Sequence, residues 1–120
     1  MSDLIARLEA LAGPDRDVDE AIACLIADPH PKHGKPIGMI NARHYTVSVD
    51  AALTLVPEGW AWFVEWIGAP FLEGRARLWI PAQRTQKLKI ENITCDAKNP
   101  AIALCVAALK ARQAAEVQNV

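Results

Sequence analysis

Four tryptophans stand at positions 60, 62, 66 and 79, within one stretch of 20 residues, and Arg75, Arg77, Lys87 and Lys89 lie among or just beyond them. Indoles offer stacking surfaces and guanidinium groups make bidentate contacts to phosphate, so these residue types on one surface would hold a nucleotide or a single strand. Stacking of that kind contributes about 1–3 kcal/mol per base. Side chains alternate along a strand, so Trp60, Trp62, Val64 and Trp66 share one face of a first strand, while Ala61, Phe63 and Ile67 share the other with Glu65. On a second strand Arg75, Arg77 and Trp79 alternate with Ala76, Leu78 and Ile80, and on a third Lys87, Lys89 and Glu91 alternate with Leu88 and Ile90. The expected sheet has an aliphatic face with Phe63 under the last helix, and an opposite face that combines Trp60, Trp62 and Trp66 with Arg75, Arg77, Lys87 and Lys89. The competing expectation has the N-terminal helices covering the indoles and the cations left at a solvated rim.

A second group of chemically capable side chains lies in residues 28–43, DPHPKHGKPIGMINAR, with His30, Lys32, His33 and Lys35, followed by Arg43 and His44. The HxxH spacing chelates a metal only where further ligands converge, and none stands in register, so no metal site is expected. Lys32, His33, Lys35, Arg43 and His44 are candidates for a basic lid that closes on an anion. The alternative is a solvated loop.

Catalytic constellations are missing. There is no GxSxG, and Ser48 is better placed as a helix cap than as a nucleophile. A Cys95–His44–Asp96 triad can be drawn, but positions distant in sequence permit almost any triad, and Glu58 with Glu65 is no stronger as a carboxylate pair. The expectation is no enzyme activity and no cofactor. Cys24, Cys95 and Cys105 are odd in number and lack CxxC spacing, which argues against a disulfide framework or structural zinc. Cys24 and Cys105 sit on apolar helical stripes and are expected to be buried thiols.

The elements that must position these residues follow from periodicity. Leu4, Ile5, Leu8, Leu11 and Ala12 recur at helical spacing after Ser2 or Asp3 and stop at Gly13-Pro14. The acids of DRDVDE favour a second helix N-terminus, and Val18, Ile22, Leu25 and Ile26 form its stripe up to Asp28-Pro29. These two helices are expected to lie antiparallel. Three prolines and two glycines in residues 28–43 predict an irregular basic loop. Tyr45 and Val47 predict a short extended piece, and Ser48 caps a two-turn helix over VDAALTLV that Pro57 and Gly59 close. WAWFVEWIG (60–68), RARLWI (75–80) and QKLKIENITC (86–95) predict three antiparallel strands in a meander. Asn99 as N-cap with Pro100 at the first helical position predicts a last helix to about residue 115, with Ile102, Cys105, Val106 and Leu109 on one face and a frayed tail at 116–120. Helices segregated from strands give an α+β sandwich of helices packed on a three-stranded antiparallel sheet, not the alternating βαβ of a nucleotide-binding parallel sheet.

The chain has 120 residues, 52% apolar and 22% charged, which suits one domain with its own core. A net charge of −1 supplies no global field for a nucleic-acid backbone, so long-duplex binding is not expected. MSDLIARLEA lacks a basic segment followed by an apolar one, and no run of 18 apolar residues occurs, so a cytoplasmic protein without a membrane span is expected.

At YTVSVDAALTLVPEGW (45–60), at the strand ending Ala76-Arg77-Leu78-Trp79 and at NPAIALCVAALKAR (99–112), the chain resembles small phage and prophage proteins similar to the phage ABA-sandwich domain family. The resemblance covers about the last 75 residues together with GPDRDVDEAIA. It implies a sheet sandwiched by helices, a phage-encoded protein and hence a host-cytoplasmic location, but no activity and no catalytic residues. Residues 28–43 depart from the pattern. The order helix, three strands, helix also resembles double-stranded-RNA-binding domains, whose last helix opens with a lysine cluster; here Lys98 stands alone.

Together these readings predict a non-enzymatic phage accessory protein that interferes with a host defence by sequestering a small anionic, nucleotide-like signal or by occluding a host protein. The alternative is a structural or assembly protein whose tryptophan-rich surface is a homo-oligomer interface, where aromatic residues and arginine are equally at home.

Overall fold

The computed structural model describes residues 2–26, 29–30, 35–36, 43–68, 73–81 and 92–118. Helices α1 (Ser2–Glu9) and α2 (Arg16–Leu25) are followed by two short paired segments, β1 (Pro29–His30) and β2 (Lys35–Pro36), and by a short helix, α3 (Val49–Leu53). Strands β3 (Ala61–Ile67), β4 (Glu73–Trp79) and β5 (Asn92–Ala97) then lead into the long helix α4 (Pro100–Gln118). The three strands form an antiparallel meander in the order β3-β4-β5. The α+β class and the three-stranded sheet packed against a helix are therefore as expected.

The caps explain where the helices start. Asp15 accepts the Val18 N–H at the head of α2, Ser48 accepts the Ala51 N–H at the head of α3, and the Asn99 side-chain oxygen accepts the Ile102 N–H at 2.7 Å at the head of α4. After α3 the chain tightens, with Leu55 and Val56 bonding three residues back. A turn then brings the Trp60 N–H to the Pro57 carbonyl, with Gly59 at φ 95°. That positive φ at the third turn position suits glycine and aims the chain into β3.

Helix α4 is the centre of the molecule. Every residue from Ala101 to Leu109 is buried, so this stretch of the helix has no solvent face, whereas the sequence led us to expect a single apolar stripe. The reason is its position. On one side it packs on β4 and β5, and it also packs on α1 and α3. Cys105 Sγ donates to the Tyr45 carbonyl and Arg112 Nε to the Leu55 carbonyl at 2.6 Å, while Lys110 and Gln113 reach Glu9 and Ser2 of α1. A helix that is apolar all round belongs inside. Its alanines at 101, 103, 107, 108 and 111 keep it slim enough for neighbours on several sides. Gly74 of β4 allows the closest approach: a Cβ there would collide with the backbone of Asn99 and Pro100.

The layers are thus sheet, α4, then the other helices. The resemblance implied helices on both faces of the sheet; the described helices all lie on one side, with α4 as the filling. Other expectations also change. Residues 45–47 form a turn and not an extended piece, because the Ser48 N–H bonds back to the His44 carbonyl and the Tyr45 N–H to the Arg43 carbonyl. The last helix runs through Gln118, beyond the boundary expected near 115, so residues 116–118 are not a frayed tail. Within 28–43, Pro29 pairs with Pro36 and His30 with Lys35, a small ladder where only irregular chain was expected. The third strand is Asn92–Ala97, shifted towards the C-terminus from the expected span; residues 82–91 lie outside the described residues.

Candidate functional site

The pairing register decides which side chains share a surface. In β3–β4, Trp62 stands opposite Leu78, Val64 opposite Ala76 and Trp66 opposite Gly74. Leu78 and Ala76 in turn face Ile93 and Cys95 of β5. Directly opposed residues of an antiparallel pair project to the same side, so Trp62, Val64 and Trp66 point to the side covered by α4. The odd-numbered residues of β3 pair with Trp79, Arg77, Arg75 and Glu73, and the first three of these face Asn92, Thr94 and Asp96 on the open side.

This corrects the arrangement expected from sequence. Trp62 and Trp66 are not on one face with Arg75 and Arg77; the sheet lies between them. The aliphatic residues of β4 pair with the tryptophan side of β3, and Phe63 belongs to the open side. The physical reason was present in the residues. The run at 60, 62, 64 and 66 carries no charge and matches the uncharged Ala76, Leu78 and Ile80, whereas Glu65 belongs opposite Arg75.

On the open side Arg75 is committed within the sheet. Its Nε donates to Asp96 Oδ1 at 2.7 Å on β5, and its Nη1 lies 3.7 Å from Glu65 Oε1 on β3, so an acid flanks it on each neighbouring strand. The hydrogen bond to Asp96 and its charge raise the Arg75 pKa from its ordinary value, outweighing the loss of hydration, and the charges of Glu65 and Glu73 add to the rise. Arg77 is different. Its guanidinium lies 5.6 Å from the Trp79 ring centre, a cation–π contact, and Phe63 stands opposite it. Among the described residues Arg77 has no ion pair.

Helix α4 covers β4 and β5 and only grazes β3. Trp60 and Val64 still pack partly against the core, but Trp62 is 48% exposed and Trp66 53% exposed on that side. Phe63, on the other side of the same strand, is 48% exposed. Strand β3 is also an edge, paired among the described residues only with β4. No protein-family model, curated protein or solved structure matches this chain. The case for a site therefore rests on these side chains alone.

Other candidates separate. Lys32, His33, Lys87 and Lys89 lie outside the described residues, as does the side chain of Lys35, whose backbone is in β2. Arg43 and His44 are exposed, and their carbonyls accept bonds that shape the turn before α3. Arg16 reaches the Arg43 carbonyl at 3.3 Å and Asp19 at 3.1 Å. Asp19 and Thr46, both fully buried, lock that turn to α2. The Asp19 carboxylate accepts the Thr46 N–H at 2.8 Å, the Thr46 hydroxyl accepts the Asp15 N–H at 2.9 Å, and the Asn99 amide donates to the Thr46 carbonyl at 3.0 Å. Every partner is satisfied, which marks a structural clamp.

A cavity of about 200 Å³ at one end of the sheet is lined by Glu9, Leu11, Glu73, Asp96, Ala97 and Lys98. Three acids against one lysine make it a poor receptor for an anion. Lys98 stands beside these acids and not in a basic cluster. Among the described residues no group of three His, Cys, Asp or Glu side chains is placed to hold a metal ion, and no helix is long and apolar enough to cross a membrane.

Cys24 is exposed, against expectation, because it falls off the buried stripe formed by Val18, Ile22 and Ala23. Cys105 is fully buried, and burial together with the Asp19 charge pushes its thiol far above the ordinary range. Burial also raises the Cys95 thiol; Lys110 opposes that shift, while Glu9 and Asp96 add to it.

Proposed function

We propose that this chain is a non-enzymatic binding module that works through protein contact along β3. The observation that carries the reading is the conjunction on one edge strand of Trp62, Phe63 and Trp66, each about half exposed, with the strand's outer edge unpaired among the described residues. Native proteins blunt an exposed edge with charge, proline or a bulge. Here only Glu65 interrupts an otherwise apolar strand, Ala61–Ile67. Tryptophan and phenylalanine are enriched where one protein anchors on another. Assembly is favoured over sequestration of a nucleotide-like signal, because the indoles of β3 and the arginines of β4 lie on opposite sides of the sheet.

Site-specific photo-crosslinking tests this. A photoreactive side chain placed at Trp66 should give discrete protein adducts in the cells that make the chain, while one at exposed Thr94 on the far edge strand should give none. Equal labelling from both positions, or no adducts from Trp66, would remove the reading.

A second reading concerns the open side, where Arg77 lies over the Trp79 ring with Phe63 opposite it on β3, and has no ion pair among the described residues. That trio suits a small anionic ring. Stabilisation by nucleoside phosphates in a thermal-shift titration, abolished by Arg77→Ala and kept by Trp66→Ser, would support it; no shift with any nucleotide would end it.

A further inference from the structure

We infer that the partner of β3 is β3 of a second copy, running antiparallel about a two-fold axis at Val64, so that two three-stranded sheets join into one of six strands. The inference rests on the protein-contact reading above and names its occupant. The strand is self-complementary in that register. Centred on Val64, antiparallel pairing sets Val64 against Val64 of the second copy, Trp62 against its Trp66, Trp66 against its Trp62, and Phe63 against its Glu65.

Each of these matches answers an observation. The four half-exposed indoles come together on the α4 side, in the trough between the α4 helix of one copy and that of the other, where each finds the cover its own α4 does not supply. Aromatic cross-strand pairs are among the stabilising ones in antiparallel sheets. A two-fold axis perpendicular to the sheet keeps α4 of both copies on the same side, so no core face is turned outward.

Charge is complementary as well. The row across the open side that holds Phe63 and Arg77 of one copy is continued by Glu65 of the other. Strands lie about 4.8 Å apart, so that glutamate and Arg77 stand about 10 Å apart at the backbone, within the combined reach of the two side chains. Arg77, which lacks an ion pair among the described residues, thereby gains a carboxylate that it shares with Arg75 of the other copy, and the same holds for both copies by symmetry. Edge pairing also satisfies the outward N–H and C=O groups of β3, which no other partner among the described strands takes up.

Sedimentation of the purified full chain across a concentration series tests the stoichiometry, and cysteine trapping tests the register. We expect a species of twice 13.1 kDa at tens of micromolar. In a Cys24→Ser background, Val64→Cys should oxidise to a linked dimer, because opposed positions on the axis lie within disulfide range, whereas Thr94→Cys on β5 should not. Trp62→Lys with Trp66→Lys, at exposed positions that leave the core intact, should weaken association at least tenfold by facing like charges. A monomer at every concentration overturns the inference, as does a dimer that links through Thr94→Cys and not through Val64→Cys. A monomeric pure protein that still crosslinks from Trp66 to a different protein overturns self-pairing and leaves the protein-contact reading standing; a monomer without adducts overturns both.

Discussion

Trp62 and Leu78 stand directly opposite each other on neighbouring strands and project to the same side of the sheet, yet Leu78 is fully buried and Trp62 is 48% exposed. The difference comes from α4, which lies over β4 and β5 and stops short of β3. Leu78→Ala should therefore cost about 2–5 kcal/mol of folding stability, as buried leucines do. Trp62→Ser should change the stability of the isolated chain far less. Urea unfolding of dilute protein separates the two; similar losses for both would mean that Trp62 is core.

Thr46 is the point at which three elements are tied together. Asp19→Ala leaves its buried N–H without the 2.8 Å acceptor, and an orphaned buried donor costs about 1–3 kcal/mol. The loss should be read in the same unfolding measurement. It should leave self-association unchanged, since the clamp lies in the helical layer.

Gly74→Ala should be among the most damaging single methyl additions. The new Cβ meets the backbone of Asn99 and Pro100, which cannot rotate away as a side chain can. Overpacking typically costs about 1–3 kcal/mol and occasionally more, and a main-chain neighbour that cannot swing aside puts this site at the upper end. A variant melting within a few degrees of wild type would contradict the close approach of β4 to the head of α4.

How much of this was legible beforehand follows from the same residues. Asn99-Pro100 and Ser48 announced their helices because capping is local chemistry, and the three strands announced themselves by β-forming residues between turns. The face assignment was not legible from alternation alone. Alternation says which residues of one strand travel together, and only the register says which set of the next strand they join. Glu65 beside an otherwise uncharged tryptophan run was the available signal, since it belongs with Arg75 and not with Leu78. The all-round burial of Ala101–Leu109 in α4 was also missed. Its alanines read as neutral between a stripe and a core, and the choice is made by how many elements surround it.

Buried thiols give a pH dependence with a definite sign. An unfolded cysteine ionises near about 8.5, whereas burial raises the thiols of Cys105 and Cys95 in the folded chain. The stability they contribute is whole below that pH and is lost as pH rises above it, by up to about 1.4 kcal/mol per pH unit per thiol. Denaturant unfolding between neutral and alkaline pH should show this decline, and Cys105→Ala should flatten it. An unchanged slope in the variant would mean that Cys105 ionises as readily in the folded chain as in the unfolded one.

The most direct measurement on the central claim is amide hydrogen exchange of the purified chain, followed by mass spectrometry at low and high protein concentration. Pairing through β3 predicts that residues 61–67 become more protected as concentration rises, while residues 92–97, on the opposite edge, exchange at the same rate throughout. Exchange in 61–67 that is independent of concentration, or protection that appears instead at 92–97, would contradict the account.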